Sequence, residues 1–314
     1  MTKRYITIDG GTTNTRVCLV VDGVCLRRIR LSIGARACID HRAMLENELK
    51  LAIQDILEEF ELCESDIIRI LASGMITSEF GLCELPHVSA PAGIRELHDT
   101  MAEVTFPEIS SIPFVFVRGV RIISESLAEV DVMRGEETEL MGLMALAPQS
   151  GKSCVFVLPG SHSKLINTVG GKISAFSTML TGEMIMSLSQ GTILKDAVDL
   201  SVSDHDENYL VEGYRFAKNE GINKALFKVR ILKNIFKRSP QEVYSFFLGA
   251  ILADEIDAIL SSSSESVIIG GNNKIKTATA ALLSAVSDKS ITVISDEDVE
   301  RSTAVGVISI FEYK

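Results

Sequence analysis

A strand, a glycine-bearing polar turn and two more strands joined by a hairpin turn occur twice in this chain, about 150 residues apart. In the first copy, residues 4–9 alternate in polarity and are β-prone, which predicts a strand. Gly10, Gly11, Thr12, Thr13 and Asn14 follow as a turn. Residues 16–21 and 24–33 predict two further strands around Asp22-Gly23, a strong hairpin signal. In the second copy, residues 154–158 predict a strand and Pro159-Gly160-Ser161-His162 a turn. The remaining strands fall at 164–169 and 172–179, around Gly170-Gly171. The repeat predicts two similar α/β halves.

The connecting segments fit that plan. Asp40 is read as the N-cap of a helix whose Leu45, Leu49, Ile53, Ile56 and Phe60 share one face. Residues 67–71 and 114–117 predict short apolar strands, with a loop over 73–78. Helices are expected at 136–147, 181–198, 206–219, 223–237 and 240–261; the last opens with Ser239-Pro240, a cap followed by Pro at the first helical position. A strand at 267–269 runs into Gly270-Gly271-Asn272, then come a helix, a strand at 291–294 and a final helix from Asp296.

Charge and cysteine usage narrow the function classes. Lys and Arg number 31 against 42 Asp and Glu, a net charge of −11, with no basic stretch. That excludes a nucleic-acid partner, so any anionic ligand must be held by a few local donors. No apolar run reaches the ~18 residues of a membrane span, and the N-terminus reads as a strand, not a signal peptide. The six cysteines form no C-x-x-C pair and most have apolar neighbours, which predicts buried reduced thiols and a cytoplasmic protein. Neither Cys nor His shows metal-ligand spacing.

The two turns carry the chemistry. Asp9-Gly10-Gly11-Thr12-Thr13-Asn14-Thr15-Arg16 packs glycines, hydroxyls, a carboxylate and a guanidinium into one strand-turn-strand. Glycines admit a ligand close to the backbone, and exposed amides and hydroxyls cradle phosphate oxygens. Asp9 at a strand end suits Mg²⁺, which takes oxygen ligands. The second turn adds Gly160, Ser161, His162 and Lys164. Facing each other across a cleft, the two would clamp a polyphosphate. Two other readings fail on context. Gly151-Lys152-Ser153 lacks the first Walker A glycine and precedes a strand. Ser161-His162-Ser163-Lys164 fits S-x-x-K, but lies between strands and lacks the partner motifs of serine acyl-enzymes.

At these residues the sequence resembles the sugar-kinase/Hsp70/actin superfamily: Asp9 to Asn14 match its first phosphate turn, and Gly270-Gly271-Asn272 its adenosine element. Within it, several segments resemble the 2-dehydro-3-deoxygalactonokinase family. They are Ser73-Gly74-Met75-Ile76, Glu84-Leu85-Pro86-His87, Met133-Arg134-Gly135-Glu136-Glu137-Thr138-Glu139, Leu158 to Lys164 and Met179-Leu180-Thr181-Gly182-Glu183. The chain departs from the family pattern with Ser161 for Thr, Leu82 and Leu165 for aromatics, and Thr77 and Glu79 for Gly and Arg.

The resemblance implies two RNase H-like (actin/hexokinase-type) α/β domains with an interdomain cleft. The expected boundaries are 1–130 and 131–295, with the helix 296–314 packing back on the first. It implies ATP and Mg²⁺ as cofactors, and phosphorylation of the primary 6-hydroxyl of a 2-keto-3-deoxy sugar acid, 2-dehydro-3-deoxy-galactonate first, in galactonate-type catabolism. A sugar hydroxyl is a weak nucleophile and needs a carboxylate base. Glu136, after Gly135, occupies the family's place for it; Asp131 ranks second and Glu137 third. A helix N-terminus also favours acidic residues by its dipole, so stability alone would place Glu there too. The substrate carboxylate calls for a cationic fork, with Arg16, Arg118 and Arg121 as candidates and Gly74 and Met75 as the sugar-side loop. Two alternatives stay open: a same-fold kinase for another small hydroxylated acid, and a non-catalytic sugar-acid or nucleotide sensor.

Overall fold

The computed structural model describes residues 2–35, 38–147, 153–271 and 274–314. Contacts divide the chain into two compact units. Unit 1 comprises Met1–Lys152, Val169–Ala175 and Glu297–Lys314; unit 2 comprises Ser153–Thr168 and Phe176–Asp296. The first unit therefore runs past the expected boundary at residue 130.

Unit 1 opens with the expected meander, β1 (Arg4–Gly10), β2 (Thr15–Val21) and β3 (Val24–Leu31), followed by α1 (Cys38–Glu59). Next come β4 (Arg69–Gly74), β5 (Val88–Ser89), α2 (Ile94–Asp99), β6 (Ala102–Phe106), β7 (Ser110–Phe116), β8 (Val120–Ile122), β9 (Asp131–Met133) and α3 (Glu136–Leu146). Its main sheet has the order β3-β2-β1-β4-β7-β6; β5, β8 and β9 form a small separate sheet. The apolar stripe of α1 packs as anticipated: Leu45, Leu49, Ile53 and Ile56 join Ile6, Ile8, Val17 and Leu19 in one buried cluster. The helix begins at Cys38, so Asp40 lies in its first turn and is not the cap. The strand expected at 24–33 stops at Leu31, and Ser73-Gly74, expected in a loop, finish β4.

The second half of the chain repeats the plan with β10 (Cys154–Leu158), β11 (Ser163–Val169) and β12 (Lys172–Met179), whose hairpin end Val169–Ala175 counts with unit 1, then α4 (Thr181–Gly191), α5 (Glu207–Glu220), α6 (Ile222–Asn234), α7 (Pro240–Ile251), α8 (Ala253–Ser261), β13 (Ser266–Ile269), α9 (Lys274–Val286) and β14 (Ser290–Val293). The sheet order β12-β11-β10-β13-β14 reproduces the third-second-first-fourth-fifth arrangement of β3-β2-β1-β4-β7. In both sheets the first three strands are antiparallel and the fourth pairs in parallel with the first. This is the RNase H-like α/β fold that the family resemblance implies, built on the repeated meander.

Two predicted helices are interrupted. The segment 181–198 stops at Gly191; Thr192 turns extended and its hydroxyl accepts from Leu194 N, starting a 3-10 turn over Ile193–Asp196. The segment 240–261 bends at Leu252, where ψ falls to −5° between α7 and α8. Ser239 caps α7 as anticipated, in a capping box with Glu242.

The last helix, α10 (Asp296–Phe311), belongs to unit 1 from Glu297 onward. Phe311 meets Tyr5 edge-on at 5.8 Å, and Tyr5 Oη donates to Glu312 at 2.8 Å. It crosses α3 with backbone nearly on backbone: a Cβ at Gly306 would lie 1.9 Å from Thr138 O, and one at Gly142 1.8 Å from Ser302 O. Gly306→Ala is expected to cost about 2 kcal/mol by overpacking, read as a lower urea midpoint at unchanged m-value. Among the described residues no helix is long and apolar enough to cross a membrane.

Candidate active site

In unit 1 the candidates gather at the carboxyl end of β1. The register pairs Asp9 with Arg16 on β2 and with Ser73 on β4. Arg16 Nη1 donates to Asp9 Oδ2 at 2.8 Å. The turn between β1 and β2 closes with Gly11 N donating to Asn14 O at 2.9 Å. Thr12 and Thr13 are exposed, and among the described residues their N–H groups find no acceptor. Arg30 reaches Asn14 Oδ1 from β3.

β4 ends beside this turn because its last residue is glycine. Gly74 has φ +85°, and a Cβ there would lie 2.5 Å from Gly10 O. Met75 then starts a 3-10 turn. Arg134 secures that turn, donating to Thr77 O at 2.6 Å and to Leu85 O at 3.0 Å. The next residue, Gly135, approaches Gly74 to Cβ-contact distance (3.3 Å) and opens α3, so the acidic first turn of α3 lies at the same strand end.

The four acids there behave differently. Glu136 is half-buried, with Oε2 accepting from Arg134 N at 3.1 Å. Glu137 is wholly buried and both oxygens are taken, by Gly135 N at 2.8 Å and Thr138 Oγ1 at 3.0 Å. Burial, then the charge of Glu136, raises its pKa to about 7. Glu139, absent from the sequence candidates, is raised to about 8 by burial, then by the negative charges of Asp9 and Glu136, with Arg16 opposing. Burial also raises Asp9 against the pull of Arg16. Asp9 and Glu136 thus both press on Glu139, and a cation at this strand end would relieve that repulsion. The all-oxygen donors fit Mg²⁺, which uses one or two carboxylates and keeps waters, although no three acids are clustered tightly enough to enclose an ion among the described residues.

The raised carboxyls fix a pH dependence. A carboxyl whose folded pKa exceeds its unfolded value holds more protons in the native state, so stability falls as pH rises through that window. Glu137→Gln keeps an acceptor for Gly135 N and is expected to shrink the loss of stability between about pH 5 and about pH 8. Urea midpoints of both proteins at the two pH values check it.

The other unit 1 candidates are Asp131, Arg121 and Arg118. Asp131 is on β9 opposite Ile122, its Oδ1 accepting from Val132 N at 2.7 Å. Arg121 is exposed on β8; with burial first and Arg134 second, its charge holds His87 down, to about 4. Arg118 is half-buried, and its Nε is buried without a partner.

Unit 2 assembles the second turn. α4 starts against it: Gly182 N donates to Gly160 O at 3.1 Å and Glu183 N to Ser161 O at 3.2 Å. A Cβ at Gly182 would come within 2.4 Å of Gly160 O. Glu183 also holds His162 Nε2 at 3.0 Å. Ser161 and His162 are exposed, and their N–H groups have no acceptor among the described residues. Beneath, Glu255 is 1% exposed and accepts from Thr181 Oγ1 at 2.7 Å. Because β13 runs parallel to β10, Gly270-Gly271 arrive beside the turn. Gly271 has φ +78°, and a Cβ there would meet Pro159 O at 2.9 Å. Asn272 lies outside the described residues. Lys164 is 5% exposed and binds Thr178 Oγ1 on β12 at 2.7 Å, so its ammonium is anchored on the sheet.

The cysteines whose side chains are described differ in part from the expectation of burial, and the side chain of Cys38 lies outside the described residues. Cys18 and Cys154 are buried, Cys25 and Cys83 are intermediate and Cys63 is exposed.

A family model described as 2-keto-3-deoxy-galactonokinase matches residues 9–309. The 2-dehydro-3-deoxygalactonokinase of Escherichia coli K12 is 28% identical over 253 residues, 80% of this chain and 78% of that protein. A crystal structure of a Sinorhizobium meliloti protein described as a 2-dehydro-3-deoxygalactonokinase superimposes with TM-score 0.79 at 20% identity, over 98% of this chain and 97% of that one. The Clostridium difficile activator of 2-hydroxyisocaproyl-CoA dehydratase, solved with bound ADPNP, shares the fold at TM-score 0.50 and 10% identity, over 98% and 95%.

Proposed function

Because the chain belongs to the 2-keto-3-deoxy-galactonokinase family, whose members are phosphotransferases with an alcohol acceptor, we propose that it transfers the terminal phosphoryl group of ATP to the primary 6-hydroxyl of 2-dehydro-3-deoxy-galactonate. The observation that carries this reading is the set of carboxylates at one strand end, Asp9, Glu136 and Glu139, beside a turn with unused N–H groups.

Phosphoryl transfer is mainly positioning and charge neutralisation. The turn Gly11-Thr12-Thr13-Asn14 in unit 1 and the turn Gly160-Ser161-His162 in unit 2 offer amides and hydroxyls to phosphate oxygens. Gly270 and Gly271, with Asn272, supply the adenosine side, and the close approach of Pro159 O to Gly271 requires glycine there. Asp9 holds Mg²⁺, directly or through water, and the ion when bound neutralises charge on the transferring phosphate. Glu136 takes the proton of the attacking hydroxyl as its oxygen bonds to phosphorus and ADP leaves. Gly74 and Met75 shape the sugar side. Arg16, with Arg118 and Arg121 as the alternatives, pairs with the substrate carboxylate. Lys164, fixed on Thr178, contributes positive charge behind the second turn.

The test is ADP release with the galacto and gluco epimers of the keto-deoxy acid, with and without Mg²⁺. Turnover that needs Mg²⁺ and favours the galacto epimer is expected. Preference for another hydroxylated acid replaces the substrate, and nucleotide binding with no turnover on any acid replaces the kinase by a sensor.

A further inference from the structure

Unit 1 carries a second reactive cluster, on the β2–β3 hairpin. The strands pair Cys18 with Arg28 and Leu19 with Arg27, then slip, so that Val20 faces Cys25. Side chains alternate between the faces of a strand, and directly opposed residues share a face. In an unbroken ladder Val20 would oppose Leu26, and Cys25 would point away from Cys18. The one-residue bulge re-aims it, placing Cys18, Arg28 and Cys25 on one side of the sheet.

The three groups interact there. With Arg28 opposite Cys18 and Cys25 opposite Val20, the two thiols are diagonal cross-strand neighbours on that face, and both feel the charge of Arg28. Cys25 Sγ also contacts Arg27 O at 3.5 Å. Arg28 is held over the pair by α10, its Nη2 donating to Glu300 O at 3.2 Å and its Nη1 to the Glu300 carboxylate. The pair is asymmetric. Cys18 is 6% exposed, whereas Cys25 is open to small molecules. Hydrogen bonding from Cys18, with help from Arg28, lowers Cys25 to about 6; the same bond and burial push Cys18 up. A low-pKa, accessible thiol next to a resolving cysteine is the arrangement of thiols that oxidise reversibly.

We propose that Cys25 and Cys18, with Arg28, form a redox-modification site for peroxide-class oxidants. The Cys25 thiolate attacks one peroxide oxygen, the O–O bond breaks, and the leaving hydroxide takes up the proton given up by the Cys25 thiol and departs as water, giving the sulfenic acid. Cys18 then attacks the Cys25 sulfur, the S–O bond breaks, a second water leaves with the Cys18 proton, and the disulfide forms. In sum two thiols lose two electrons and two protons, and one peroxide becomes two waters. Cys18 follows Arg16 by two residues on the same face of β2, so the modification lies on the strand that holds the Asp9 partner.

The intact chain carrying Cys63→Ser, which removes the thiol that is exposed among the described residues, is treated with hydrogen peroxide and read by intact mass and non-reduced peptide mapping. Loss of two hydrogens, a Cys18–Cys25 linked peptide, reversal by dithiothreitol and absence of the link in Cys25→Ser are expected. At neutral pH, Arg28→Gln should slow iodoacetamide labelling of Cys25 about threefold, the lower nucleophilicity of an acidic thiol offsetting part of its greater ionisation. Glu300→Gln loosens the same α10 contact but keeps the guanidinium, and should not slow it. A linkage to any other cysteine, oxidation that leaves Cys18 and Cys25 unlinked, or equal slowing in both variants overturns the proposal.

Discussion

Glu136→Gln is expected to lower kcat by about 10²–10⁴, the usual contribution of a general base, with the thermal midpoint nearly unchanged. Its side chain accepts from Arg134 N, and a glutamine oxygen can do the same. The substitution forfeits the favourable charge at the start of α3, about 0.3–1 kcal/mol. That asymmetry separates the two explanations for an acid at this position. If Glu136 serves only the helix dipole, the variant loses a little stability and keeps its turnover. If it is the base, turnover collapses and stability hardly moves. Stopped or steady-state rates at saturating substrate, beside a melting curve, decide it. Glu137 cannot take over, since it is wholly buried with both oxygens engaged by Gly135 N and Thr138 Oγ1. Glu139 is placed differently, in electrostatic contact with Asp9. Glu139→Gln should therefore raise the Mg²⁺ concentration giving half-maximal rate more than it lowers kcat.

Both turns were readable because their chemistry is local: glycines, hydroxyls and flanking strands sit within eight residues of one another. The repeated meander then carried the sheet order, since hairpins dictate the first three strands of each half. What failed was long-range or lacked a local mark. β6 hides because its pairing with β7 slips between Val104 and Phe106, which breaks the alternation. The first half of β7 hides behind Pro113, which precedes the parallel ladder to β4 starting at Phe114. Leu252 interrupts a helix with no Pro at the bend, three residues after Gly249, and it is wholly buried. Glu139 was missed although it stands three residues after Glu136, on an adjoining stretch of helix surface. Its importance comes from Asp9, and no local pattern links residues so far apart in the chain. The bond of Lys164 to Thr178 is equally hidden from the motif, because Thr178 lies on the next hairpin arm. The bulge that brings Cys25 beside Cys18 likewise leaves no trace in alternation.

Asp9→Asn is expected to reduce kcat/KM by about 10³, equivalent to roughly 4 kcal/mol, while leaving the protein as stable as before or more so at pH 8. The activity loss follows from the position: Asp9 is the carboxylate assigned to Mg²⁺, and an amide is a poor ligand for a hard divalent cation. The stability claim follows from the sign of its shift. Burial raises the Asp9 pKa, so in the absence of a cation the ionised form is less at ease in the folded chain than in water, and Glu139 adds repulsion. Removing that charge relieves both terms. Its loss also breaks the ion pair with Arg16, but that guanidinium is 58% exposed, and pairs of this kind contribute little. The two readouts therefore move apart, the signature of a residue kept for function at the expense of the fold. A purely structural Asp9 would reverse the pattern, with a lower melting temperature and a rate that recovers once the variant is folded. Melting curves at pH 8 without Mg²⁺, set beside Mg²⁺ titrations of the rate, distinguish the two.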